Sequence, residues 1–129
     1  MKLMVAALLL IPIMGGIFSR WQKKTSADPD QLVLDQLKKA GSDLSKPHPI
    51  EFFLYFPTED SASEASKDIK AEVDEMKVGP SADKKNWLCF ATKRMVPDHD
   101  ELVRLRKRFT EIAKKYGGEY DGWGTEVVK

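Results

Sequence analysis

Hydrophobic positions along this chain change their spacing several times, and each change marks an element. Leu3 to Phe18 is an uncharged, almost wholly apolar run interrupted only by Pro12 and Gly15-Gly16. After a polar stretch, Asp28-Pro29-Asp30-Gln31 carries the residues of a helix start: Asp28 to cap, Pro29 for the first helical position and Gln31 at the capping-box spacing. Leu34, Leu37 and Leu44 supply the apolar stripe of a helix that stops near Gly41. Pro47-His48-Pro49 breaks that pattern, and Ile50 to Phe56 is a dense run of strand formers ended by Pro57. Thr58, followed by Glu59 and Asp60, caps a second helix with Ala62, Ala65 and Ile69 on one face. A weak strand is predicted over Ala71 to Val78, a turn at Gly79-Pro80-Ser81, and a strong strand over Lys85 to Met95. Asp98, with Glu101 three residues on, opens the longest helix, whose core stripe is Leu102, Leu105, Phe109, Ile112, Ala113 and Tyr116. Gly117-Gly118 reads as its left-handed stop, Asp121-Gly122 as a tight turn, and Thr125 to Val128 as a short last strand.

After the first helix the predicted order is strand, helix, strand, strand, helix, strand. That is the split βαβ pattern: an α+β, ferredoxin-like sandwich with an antiparallel sheet and helices on one face, here preceded by an extra helix. The 129 residues make one domain's worth of chain, divided into an anchor or signal segment (1–21), a linker (22–27) and an α+β domain (28–129).

The sixteen residues from Leu3 to Phe18 cover about 24 Å as a helix, short of a hydrocarbon core of about 30 Å, and Met1, Ser19 and an interfacial Trp21 extend them. Neither Ile17-Phe18-Ser19 nor Thr25-Ser26-Ala27 makes a convincing cleavage site, so the flanks favour an uncleaved signal anchor over a cleaved leader. Arg20, Lys23 and Lys24 against Lys2 and the amino terminus orient the downstream domain towards the cytoplasm. The expectation is a single-pass anchor in the inner membrane with a cytoplasmic domain. The alternative is a periplasmic or secreted domain after cleavage.

Charge refines this picture. The four basic residues before Asp28 account for the overall +1, and the remainder carries 17 basic against 20 acidic residues. A generally nucleic-acid-seeking domain is not implied. Within it, Glu51 to Asp83 holds 9 acidic and 3 basic residues, and Lys84 to Lys115 holds 10 basic and 4 acidic. The single cysteine, Cys89, excludes an intramolecular disulfide and, inside an apolar strand, reads as a small buried residue.

Tyr116 to Thr125 concentrates four glycines and three aromatics in ten residues, which specifies a local structure. With Phe56-Pro57-Thr58-Glu59-Asp60, Ala62, the strand Trp87 to Phe90 and the helix end Ile112 to Gly118, the run Tyr120-Asp121-Gly122-Trp123-Gly124 resembles the regulator of ribonuclease activity B (RraB) family over roughly Pro49 to Val128. The resemblance implies a ferredoxin-like fold and a ribonuclease E inhibitor-like regulator, non-enzymatic and acting by protein binding, with ribonuclease E or its assembly as partner. The founding members are soluble and strongly acidic, whereas this chain has an apolar N-terminus and a basic last helix.

Three surfaces compete for function. Tyr120, Asp121, Gly122, Trp123 and Gly124 form a rigid turn that could anchor an interface; the competing reading has Trp123 plugging the sheet edge. Arg104, Lys107, Arg108 and Lys115 fall opposite the apolar stripe of the last helix, as a cationic contact or a solvated face. Strand alternation puts Phe53 and Tyr55 opposite Ile50, Phe52, Leu54 and Phe56, on a face that either stacks RNA bases or is covered by the first helix. Catalytic chemistry is poorly represented. His48 lies between prolines, His99 between aspartates, and neither a metal-ligand spacing nor a phosphate-cradling loop is present, so no catalytic residue, metal or cofactor is expected.

Overall fold

The computed structural model describes residues 28–129. The anchor and linker assigned to residues 1–27 lie outside the described residues. Among the described residues no helix is long and apolar enough to cross a membrane.

The elements are α1 (Pro29–Lys39), β1 (His48–Phe56), α2 (Glu59–Lys70), β2 (Glu75–Pro80), β3 (Trp87–Met95), α3 (His99–Lys115) and β4 (Glu119–Gly124). They form an α+β domain with one four-stranded antiparallel sheet in the order β2-β3-β1-β4. This is the strand order of a split βαβ unit, in which β3 lies between β1 and β2.

Local chemistry explains where the elements start and stop. The Asp28 carboxylate accepts from the N–H groups of Asp30 and Gln31, and Pro29 fills the first helical turn, where a missing N–H costs nothing. Thr58 and Ser61 close a reciprocal capping box at α2. At the end of α3, Gly117 takes φ +74°. The Gly118 N–H then bonds to the Ala113 carbonyl and the Gly117 N–H to that of Lys114, the paired bonds of a Schellman stop. Gly118 is needed for a different reason. A Cβ there would sit 2.2 Å from the Tyr55 carbonyl oxygen, because the chain leaving α3 crosses directly against β1.

The core lies between one face of the sheet and the helices. Ile50, Phe52, Leu54 and Phe56 of β1 and Cys89 and Ala91 of β3 meet Ala62, Ala65 and Ile69 of α2 and Leu102, Leu105, Phe109 and Ile112 of α3. Phe52 and Phe109 make an edge-to-face pair at 5.0 Å. Val33, Leu34 and Leu37 of α1 join the same core, and α1 packs against α3 on the helix side of the sheet. It therefore does not cover the opposite face.

Several boundaries differ from expectation. Ala71 ends α2 instead of starting a strand, and β2 runs on through Gly79-Pro80, so the turn falls at Ser81 to Asn86. Proline is tolerated there because β2 is an edge strand and its last position has no ladder bond to lose. β1 starts at His48, before the second of the two prolines expected to interrupt it. The last strand is Glu119–Gly124, not Thr125 to Val128. Tyr120 pairs with Leu54 and Trp123 with Phe52, so Asp121 and Gly122 together oppose Phe53. The expected tight turn is thus a β-bulge, with Gly122 at φ +93° supplying the conformation.

Candidate partner-binding surface

The bulge decides which side each residue of β4 faces. Residues three apart on a regular strand point to opposite faces, but the extra residue sends both Tyr120 and Trp123 into the core. Trp123 is 2% exposed. Its indole N–H donates to Asp30 Oδ1 at 3.0 Å, and Arg106 Nε donates to Asp30 Oδ2 at 2.7 Å. Asp30, itself 2% exposed, is thereby satisfied from both sides and ties α1 to α3 and β4. Tyr120 stacks at 5.8 Å from Phe109, and its hydroxyl is buried without a hydrogen-bond partner. Burial, then the nearby Asp30 charge, raises that phenol well above its usual value. Of the two readings of the glycine-aromatic run, the packing one describes where Trp123 and Tyr120 lie. Gly122 supplies the bulge, Gly124 is buried beside Glu51, and Asp121 is the member of the run that reaches the surface.

The cations of α3 do not form one open face. Arg104 pairs with Glu101 at 2.8 Å and with Glu72 at 3.1 Å, Arg108 approaches Glu72 at 3.6 Å, and Lys115 reaches Asp68 at 3.4 Å. Each links α3 to α2 or to the segment after it, and Lys107 points outward, exposed. Hydrogen bonds that it donates to Glu101 and then to Glu72 hold the Arg104 guanidinium firmly charged.

The other face of the sheet carries Phe53 and Tyr55 of β1 and Leu88, Phe90 and Thr92 of β3, all half-buried. Phe53 and Phe90 are direct cross-strand partners with ring centroids 5.3 Å apart, and Tyr55 pairs with Leu88. Glu119 pairs with Tyr55 and so shares this face, and Asp121 opposes Phe53 in the bulge. Burial, then the charges of Asp121 and Asp83, raises the Tyr55 phenol. Burial, then Glu119, lifts the Asp121 carboxyl to about 6. The residue's surface is nonetheless exposed, so water moderates that shift and its direction is what the setting supports. The result is an aromatic patch at the centre of the sheet with the carboxylates of Glu119 and Asp121 along β4 and, on the β2 side, Lys77 paired with Phe90.

Two pairings join residues too far apart in sequence to be read together. His48 Nδ1 meets the Lys46 carbonyl at 2.7 Å, and His48 Nε2 meets Ser42 Oγ at 2.6 Å. Ser42 Oγ also accepts the Val128 N–H at 2.9 Å. The arrangement resembles a nucleophile and its base, but both side chains are buried under the C-terminal strap and serve to fasten it. His99 Nε2 bonds to Asp28 Oδ2 at 2.6 Å, joining the cap of α1 to the first turn of α3. That hydrogen bond raises His99, while burial opposes and the contacts from His99 and the Asp30 and Gln31 N–H groups lower Asp28. Cys89 is buried, its thiol pushed up to about 12 by that burial and donating to the Ala62 carbonyl. Among the described residues no group of three His, Cys, Asp or Glu could hold a metal ion.

A family model described as Regulator of ribonuclease activity B matches residues 27–125. No curated protein matches the chain.

Proposed function

Because the chain belongs to the family of the regulator of ribonuclease activity B, we propose that it restrains ribonuclease E or a ribonuclease of that kind by docking on it, without chemistry of its own. The family match over residues 27–125 carries this reading. The open sheet face supports it, since half-buried rings with no covering element among the described residues suit a protein contact. Asp121 is the residue of the glycine-aromatic run placed to touch a partner; Trp123 and Tyr120 act behind it by holding the bulge. Arg104, Lys107 and Arg108 form a second, smaller contact of which Lys107 is the outward member. The apolar run in residues 1–21 tethers the domain to the inner membrane on its cytoplasmic side.

The test is capture from native membranes with the full chain beside a Tyr55→Ala variant whose circular dichroism is unchanged. Recovery of ribonuclease E, lost in the variant, is expected. Recovery of other proteins only would reject the ribonuclease partner. Tethering is tested on the same material: mass spectrometry should find the intact N-terminus in the membrane fraction, and a processed N-terminus would contradict it.

A further inference from the structure

We propose that the open face of the sheet docks an arginine-rich segment of a partner protein, with a guanidinium laid on the Phe53 and Tyr55 rings and paired with Asp121. This rests on the regulator reading only for the partner being a protein.

Geometry supplies both halves of such a site. The bulge turns Asp121 to the same side as Phe53, the residue it opposes, and the strand pairing turns Glu119 to the side of Tyr55. Phe53 and Phe90 form a continuous ring surface across β1 and β3. A guanidinium is planar and weakly hydrated, stacks on aromatic faces and offers a two-pronged donor to a carboxylate, so rings and carboxylate can be engaged at once. An ammonium lacks the flat face and loses more hydration. Charge disfavours the main competitor on the β4 side. RNA stacking on Phe53 and Tyr55 would bring phosphates towards Asp121 and Glu119, whereas the sheet-face cations, Lys77 paired with Phe90 and Arg94 further along β3, lie across the rings on the β2–β3 side. A purely apolar partner would strip water from Asp121 without replacing it.

The experiment titrates the full 129-residue chain, held in detergent micelles, with three probes: a ten-residue arginine-glycine peptide, its lysine-glycine counterpart, and a ten-nucleotide uridine RNA. Ring resonances of Phe53, Tyr55, Phe90 and Trp123 are followed. The arginine peptide is expected to move the first three and not Trp123, and to bind about fivefold or more tighter than the lysine peptide. Asp121→Asn, at a surface position, should weaken it by about tenfold with the fold unchanged. Binding should also strengthen as pH rises from 5 to 7 and Asp121, its carboxyl raised by burial and then by Glu119, loses its proton. Equal binding of the two peptides, arginine binding undiminished in Asp121→Asn, or stronger displacement of the same rings by the RNA would overturn the proposal. So would concentration-dependent shifts of those rings without any probe, which would assign the face to a second copy. If the peptide fails while ribonuclease is still captured, this inference falls and the regulator reading stands. If the peptide binds through Asp121 and no ribonuclease is captured, the reverse holds.

Discussion

Asp30 has the role that neither its exposed sequence context nor its position beside a helix cap suggests. It occupies the second position of α1, where an acidic residue ordinarily serves the helix dipole from the surface, yet it is buried between the Trp123 indole and Arg106. Removing one partner of such an arrangement leaves buried donors without an acceptor. Asp30→Ala should therefore cost about 3 kcal/mol in urea denaturation. Tyr120→Phe on β4 deletes a buried hydroxyl that bonds to no protein group and should leave stability unchanged or slightly higher. A loss in Tyr120→Phe as large as in Asp30→Ala would contradict this account of the node. The sequence marks Trp123 as fixed in direction by its glycines but does not reveal what it is fixed against. Its partner lies 93 residues away in the chain, and no local spacing encodes a pairing of that range.

At the scale of elements, caps and stripes were the most legible features, because they depend on neighbours in sequence. Asp28, Thr58 and Asp98 cap the helices they were expected to cap, and the stripe from Leu102 to Ala113 is buried. The last strand was misplaced because a glycine-rich run reads as a turn when the strand that will pair with it is unknown. Here the pairing with β1 absorbs the glycine in a bulge. The junction between α3 and β4 is correspondingly intolerant. Gly118→Ala would drive a methyl into the Tyr55 carbonyl, a backbone atom that cannot move aside, and should cost about 3 kcal/mol or prevent folding. A near-neutral melting temperature would show that the close approach is not maintained.

The contact between α1 and α3 carries a pH dependence of defined sign. His99 is raised by its hydrogen bond to Asp28. The stabilisation this gives is complete below the ordinary histidine value of about 6.5 and is lost as pH rises through the raised one. Amide exchange in the first turn of α1, corrected for its intrinsic pH dependence, should accelerate on crossing that range, and His99→Gln should abolish the change. Equal protection at pH 6 and pH 9 in the native chain would contradict it.

Across the whole molecule, the domain is electrically divided, though not as the charge blocks of the sequence suggest. The basic block of the last helix is tied down by Glu72, Glu101 and Asp68, acids from α2, the segment after it and α3 itself. The open sheet face sets Glu119 and Asp121 on the β4 side of its rings and Lys77 on the β2 side. The β1 alternation made Phe53 and Tyr55 legible as a separate face, but whether α1 would cover it depended on tertiary packing, and the salt of Asp30 with Arg106 draws α1 to the helix side. The open sheet face is the surface through which we propose that the regulatory role is exercised.

The most direct measurement of that claim is ribonuclease E cleavage of a defined RNA in the presence of the full chain, its Tyr55→Ala/Asp121→Asn variant and a Lys107→Glu variant, each verified as folded. The sheet-face variant should require at least about tenfold more protein for the same restraint, and Lys107→Glu, at the smaller second contact, less than about threefold more. Full restraint by the sheet-face variant, with loss in Lys107→Glu, would move the contact to the helix face and contradict the account.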